Sequence, residues 1–196
     1  MRLNDEEQAM LAGERGELRR MAIQHQIKVG DFFGAEDFVA VTQAHIMADT
    51  ESLGKAGVAW LETLGKSVGA EGAVCIPAIT DPRGTDLAKA SVLKQDPWMV
   101  GLERRTINAF VKLGVTMTDT CINYQTVLAA TRGEHVAFGD TGVVIYSNSV
   151  NGARSNFEGG PSALAAGLTG RTPRYGYHLD AHRRATKRIR VDVTPR

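Results

Sequence analysis

Cysteine is nearly missing from this 196-residue chain, which carries only Cys75 and Cys121. Their spacing matches no zinc or redox motif, and a reducing compartment gives no reason to pair them. Either one can serve as a small buried hydrophobe. Long apolar runs are also lacking. None approaches the roughly 20 residues that cross a bilayer, and the opening Met1-Arg2-Leu3-Asn4-Asp5-Glu6-Glu7 has no apolar signal core. A cytoplasmic location is therefore expected. A charge excess is missing too: the net charge is +1, which removes the electrostatic case for nucleic acid or membrane as a partner. The basic residues crowd into Arg183-Arg184 and Lys187-Arg188-Ile189-Arg190, read as a basic surface strand. Repeats, low-complexity segments, heptads and linkers are absent. What remains, 43% hydrophobic and 23% charged residues, suits one sizeable core over residues 1–196 or one domain of a larger enzyme.

The elements follow from spacing. Asn4 or Asp5 caps a first helix whose opening turn is acidic. A second helix runs from about Glu14 to Gly30 on the stripe Leu18, Met21, Ala22, His25 and Val29. Phe38-Val39-Ala40-Val41-Thr42 is short and β-branched, a strand that delivers Gln43-Ala44-His45. Residues 50–64 form an amphipathic helix with Leu53, Val58, Trp60 and Leu61 as core contacts. Gly72-Ala73-Val74-Cys75-Ile76-Pro77 is a second strand, opening into the turn-rich Thr80-Asp81-Pro82-Arg83-Gly84. Asp96-Pro97 opens the clearest helix, with Val100, Ile107, Phe110 and Val111 inward and Gly114 at its end. Val143-Val144-Ile145-Tyr146 reads as a strand after the turn Gly139-Asp140-Thr141-Gly142. Ala163-Leu164-Ala165-Ala166 reads as helix, and residues 187–193 alternate as a half-exposed strand. Strand–helix alternation makes this an α/β unit.

Four places carry chemistry. His45, just past a strand end, is placed for ligand or proton work, or is a hydrogen-bonded structural histidine. Cys121, within Asp119-Thr120-Cys121-Ile122-Asn123-Tyr124-Gln125, is a metal or cluster ligand, a nucleophile or a packing residue; no local residue plays partner base, and His135 lies further along. The third is the stretch from Asn148 to Ser162, which interleaves Gly and Pro with Asn, Ser and the single Arg154. It is either a surface loop or an anion site between a strand and a helix N-terminus. The Thr80 hydroxyl falls at a strand's carboxyl end, as a ligand contact or a turn residue.

These residues resemble the aconitase X family. Ser147-Asn148-Ser149-Val150-Asn151-Gly152-Ala153-Arg154-Ser155-Asn156, Glu158-Gly159-Gly160-Pro161-Ser162-Ala163-Leu164 and Thr169-Gly170-Arg171-Thr172-Pro173 carry the likeness. Tyr177-His178-Leu179-Asp180 with Arg183-Arg184, the opening Leu3 to Gly13, and Ala44-His45 extend it. Cys121 sits at the family's T-C-x-x-Y cysteine. The resemblance implies an aconitase-like three-layer α/β fold, of which this chain is the amino-terminal half. It also implies a hydro-lyase acting on a small hydroxy-carboxylic acid: cis-3-hydroxy-L-proline in the first place, mevalonate 5-phosphate as the alternative. The preference rests on the segment from Asp119 to Gln125. An iron–sulfur cluster with Cys121 as one ligand is implied. Arg154 would grip a substrate carboxylate, Asn148, Ser149, Ser155, Asn156 and Thr80 would orient the substrate, and His45 would take the proton.

Two departures qualify the likeness. Asp119 stands where some members carry another cysteine. The family's remaining cluster cysteines lie in a carboxyl-terminal half, and one cysteine cannot replace the roughly three or four ligands a cluster takes. That half and the family's small swivelling domain or subunit are the expected partners. A non-catalytic interaction domain of the same fold is the second reading.

Overall fold

The fold is organised by a strand that the sequence does not announce. A computed structural model describes residues 1–68 and 73–193. In it Ala44–Ile46 (β2) is the middle strand of a three-stranded parallel sheet, flanked by Ala78–Thr80 (β3) and Ala137–Phe138 (β4). Ala44 pairs with Ala78 and Ala137, and Ile46 with Thr80. All eight residues of these strands are buried, as a parallel sheet covered on both faces requires.

The expected strand at residues 38–42 forms, but elsewhere. Phe38–Ala40 (β1) pairs antiparallel with Arg171–Pro173 (β5) in a separate two-stranded ribbon. His45 therefore does not follow that strand; it is the central residue of β2. The second expected strand also shifts. Gly72 lies outside the described residues, and residues 73–77 form no strand. Pro77 has no N–H to give the ladder, and its carbonyl accepts from Ala44 N–H at 2.9 Å, so pairing starts at Ala78.

Helices cover the sheet, and a single turn at Asn123–Thr126 (α5) follows Cys121. Asp5–Ala12 (α1) begins with a reciprocal cap: Asn4 accepts from the Glu7 N–H and Glu7 accepts from the Asn4 N–H, which stabilises by about 1 kcal/mol. Glu17–Phe33 (α2) runs past Gly30, where the expected helix stopped. A side chain at Gly30 would collide with Met1, so its bareness serves close packing. Thr50–Lys66 (α3) and Pro97–Lys112 (α4) lie against each other, capped by Asp49 and Asp96. They bury Val58, Leu61 and Leu64 with Leu102, Ala109 and Phe110. Trp60 and Val111, expected inside, are 40% and 56% exposed, because their neighbours Leu61 and Phe110 occupy the inward stripe, about 100° away on the helix. Pro161–Thr169 (α7) is buried from Ala163 to its end. It packs on β2 and β4 on one side and on α2 on the other, giving a sheet–helix–helix order.

Two more segments differ from expectation. The run Val143-Val144-Ile145-Tyr146 belongs to a helix, Thr141–Tyr146 (α6), which passes directly into a π-helical turn at Ser147–Asn151. Asp140 decides this: its carboxylate accepts from the N–H groups of Gly142 (3.1 Å) and Val143 (3.5 Å). Val143 and Val144 then close a smaller core with Val136, Phe138 and Ala153. Residues 187–193 take no regular structure. Ile189, Val191 and Val193 are 80%, 73% and 74% exposed, and residues 187–193 pair with neither sheet.

Candidate functional site

The Cys121 segment is held across the ends of β2 and β3. His45 is wholly buried and edge-on to Phe138, and its Nε2 lies 2.8 Å from the Thr120 carbonyl. A carbonyl only accepts, so Nε2 carries the proton and donates. Nδ1 is buried without a partner, and burial pushes the imidazole pKa down. His45 is thus a neutral tether of the residue before Cys121. It is not placed as an exposed proton acceptor, because strand pairing turned it into the interior.

Thr80 performs a parallel task. Its carbonyl accepts from Thr118 Oγ1 at 2.8 Å and from the Thr120 N–H at 3.3 Å. Its hydroxyl donates to Asp119 Oδ1 at 3.2 Å. Asp119 has φ +50° and pairs with Arg83 at 2.6 Å. Five side chains and two strands thereby fix one short loop, and Cys121 stands on it as a free, half-buried thiol. Asp81, the next residue after β3, accepts from the Ala48 N–H at 2.6 Å. Burial, with Asp49 and Asp140 nearby, pushes its carboxyl up to about 6.

The polar stretch is more self-contained than its composition suggests. Ser155 is fully buried, accepts from the Phe138 N–H at 3.0 Å and donates to the Asn156 carbonyl at 2.7 Å. Asn156 donates to the Tyr175 carbonyl and accepts from the Tyr177 N–H. Asn148 donates to the carbonyls of Val144 and Ser155 and accepts from Arg183 Nη1 at 2.6 Å. Ser149 is exposed and donates to the Ile145 carbonyl. Ser155 and Asn156 therefore shape the loop, while Asn148, Ser149 and Arg154 keep a solvent-facing side. At the far end Gly160 lies against β2: a Cβ there would come within 2.6 Å of the Met47 carbonyl oxygen.

Arg154 gathers residues that distance in sequence kept apart. Its backbone pairs with His135. Its guanidinium donates to the His178 carbonyl at 3.1 Å and to Asp180 Oδ1 at 2.5 Å. The two histidines stack, with Nδ1 atoms 2.9 Å apart, so one donates and the other accepts. Burial, then the charges of His135, Arg154 and Arg183, hold His178 down to about 3. His135 is lowered for the same kinds of reason. Sequence reasoning did not assign His178, Asp180 or Arg183 to a site, although Tyr177-His178-Leu179-Asp180 is a conspicuous polar run. The signal it lacked was the pairing of His135 with His178 across 43 positions.

A cluster does not fit these residues alone. Among the described residues no group of three or more His, Cys, Asp or Glu side chains is placed to hold a metal. Cys121 offers a single thiol. Among the same residues no helix is long and apolar enough to cross a membrane.

Comparison with known proteins places this geometry. The family model described as the aconitase X first domain matches residues 1–181. The phosphomevalonate dehydratase large subunit of Methanosarcina mazei is 38% identical over 93% of this chain and 45% of its own length. The cis-3-hydroxy-L-proline dehydratase of Pseudomonas aeruginosa is 31% identical over 97% of this chain and 32% of its own. The crystal structure of Thermococcus kodakaraensis aconitase X, in its holo-form, superposes with a TM-score of 0.84 at 31% identity, covering 95% of this chain and 45% of that one. The chain spans about half the length, or less, of the curated relatives it matches. From Asn4 to Asp180 the residues that build the Cys121 loop and the Arg154 cluster lie within the matched span, and the chain belongs to the aconitase X family.

Proposed function

We propose that this chain is the first-domain portion of a hydro-lyase that removes water from a small hydroxy-carboxylic acid. The observation that carries the proposal is the family match over residues 1–181, joined to relatives that are dehydratases by name. Of the two substrates, phosphomevalonate draws more support: its dehydratase from Methanosarcina mazei is 38% identical, against 31% for the hydroxyproline enzyme of Pseudomonas aeruginosa. That reverses the order expected from the Cys121 segment. The name "large subunit" on the phosphomevalonate relatives supports a small subunit as partner, alongside the remaining half of the catalytic unit. Residues 1–196 form one unit in this proposal.

Arg154 binds the substrate carboxylate. Asp180 already occupies its Nη2 with a carboxylate oxygen whose side chain is 84% exposed, so an incoming carboxylate replaces one charge-assisted bond with another. Asn148 and Ser149 offer polar atoms beside it. A histidine that accepts a proton must be unprotonated at pH 7 and reachable. Both His135 and His45 have lowered pKa values, and His135 is the more reachable: it is half-buried and adjoins Arg154. Its Nδ1 is engaged with His178 Nδ1 at 2.9 Å, which leaves Nε2 as the ring nitrogen free to meet a substrate. Cys121 can supply one ligand to an iron–sulfur cluster whose other ligands come from outside the chain, and no step here is routed through that cluster.

Water loss tests the proposal. This chain, put in place of the matched first domain of the Methanosarcina mazei large subunit and combined with its small subunit, should dehydrate phosphomevalonate, and Arg154→Ala should abolish that turnover. Full turnover by the Arg154→Ala variant would overturn the site, and an inert, well-folded hybrid would overturn the function.

A further inference from the structure

Arg183 holds a positive charge to which no carboxylate is bonded among the described residues. Its guanidinium donates to Asn148 Oδ1 at 2.6 Å, to the Asn148 carbonyl at 3.3 Å and to the Tyr177 carbonyl at 3.3 Å, all neutral acceptors. Among the described residues it forms no ion pair; the one nearby carboxylate, Asp180, is bonded to Arg154. Burial first, and then the charge of Arg154, disfavours Arg183 protonation, with Asp180 pulling the other way. Two guanidinium groups thus share one carboxylate, an arrangement that a bound anion would relieve.

There is room for one. A pocket of about 330 Å³ opens beside Arg183, lined by Val144, Ile145, Asn148, Ser149 and Tyr177. Ile145 and Tyr177 are 60% and 50% exposed, and Ser149 is exposed on the same turn. The walls are therefore mostly apolar, with one cation and a few polar atoms converging, as small-ligand sites are built. The π-helical turn at Ser147–Asn151 makes this geometry, since it places Asn148 between α6 and Arg183. Such turns inside helices recur at functional sites.

We propose that this pocket is an oxyanion subsite in which Arg183 binds the anionic end of the substrate remote from the reacting carbon. The identity of the ligand rests on the hydro-lyase proposal; the existence of the subsite does not. A carboxylate and a phosphate present the same chemistry to a guanidinium, and a substrate bearing both would engage Arg154 with one end and Arg183 with the other.

Direct anion titration of the 196-residue chain tests this without turnover. The backbone N–H resonance of Ser149, in the pocket wall, is followed by NMR while inorganic phosphate, acetate or cis-3-hydroxy-L-proline is added at constant ionic strength. Saturable shifts with phosphate or acetate are expected, with affinity at least tenfold lower in Arg183→Gln and unchanged in Arg190→Gln, which removes an exposed charge elsewhere. Because Arg183→Gln also loosens the Asn148 turn, Ile145→Glu supplies a second test: it adds a repelling charge to the pocket wall and should cost the same tenfold at an unchanged melting temperature. Phosphate binding more tightly than acetate assigns the subsite to a phosphate end, and the reverse assigns it to a carboxylate end. Shifts that do not saturate, saturation by hydroxyproline alone, or an equal loss in Arg190→Gln would overturn the proposal. Turnover by the hybrid enzyme without anion binding here would sink the subsite and leave the function standing.

Discussion

His45 and Thr120 are joined by a 2.8 Å hydrogen bond from the imidazole Nε2 to the peptide carbonyl, which ties the residue before Cys121 to the central strand of the sheet. His45→Phe keeps the ring's bulk and removes the donor, leaving a carbonyl unpaired at a cost of about 1–3 kcal/mol. At about 2–4 °C per kcal/mol for a chain of this size, the melting temperature should drop by roughly 2–12 °C. The freed loop should also let Cys121 react several-fold faster with a thiol reagent. If neither quantity moves, His45 is not the tether.

Glu158 gives a pH signature. It is 6% exposed, its acceptor bond comes from the Thr172 hydroxyl at 3.0 Å, and burial raises its carboxyl from 4.5 to about 7. Between those values the folded chain binds more protons than the unfolded one, so stability falls as pH rises through the window. The full penalty, at most about 3 kcal/mol, applies above pH 7. Glu158→Gln should remove it, so that melting curves at pH 5 and pH 8 lie closer together than in the parent. A parent-like gap in the variant would contradict the assignment.

The histidine pair works in the opposite direction. His178, held to about 3 from an ordinary 6.5, binds fewer protons folded than unfolded between those values. Stability therefore rises with pH across the window and is lost as pH falls below about 6.5. His178→Gln should flatten the decline in melting temperature between pH 6.5 and pH 4. A decline as steep as the parent's would place the acid-sensitive group elsewhere.

Asp140 decides a helix that composition assigns to a strand. Asp140→Ala should cost about 1 kcal/mol by removing the cap, lowering the melting temperature by about 2–4 °C, while Asp140→Ser should restore most of it. Parent-like stability in the alanine variant would mean that burial of Val143 and Val144 alone fixes α6.

Much of the fold is legible in the residues. Asn4 with Glu7, Asp96 with Pro97, and the small-residue run after Pro161 each carry a local rule that the structure obeys. Legibility fails where a long-range contact outweighs the local one. Four β-branched and aromatic residues at 143–146 look like a strand, yet a two-bond cap from Asp140 and a hydrophobic pocket behind Val143 make them helical. β2 is only three residues long and carries a histidine, so nothing in its pattern marks it as the middle of a sheet; its partners lie 34 and 93 positions away in register. The polar stretch was visible as unusual. That Ser155 and Asn156 bond to backbone groups, while Arg183 and His178 join Arg154, depends on turns near residue 180 that no spacing rule connects to residue 154.

Anaerobic reconstitution with iron and sulfide probes the cofactor. The isolated chain should gain no stable iron–sulfur absorbance, because a single thiol is too few. A stoichiometric cluster on this chain alone would contradict the reading of Cys121 as one ligand among several.

The hydro-lyase assignment meets its most direct test in the hybrid in which this chain replaces the first domain of the Methanosarcina mazei large subunit. With the small subunit present, loss of water from phosphomevalonate and from cis-3-hydroxy-L-proline is followed side by side. Dehydration of phosphomevalonate at the higher kcat/KM is the predicted result. A folded, iron-loaded hybrid that dehydrates neither acid would contradict the assignment.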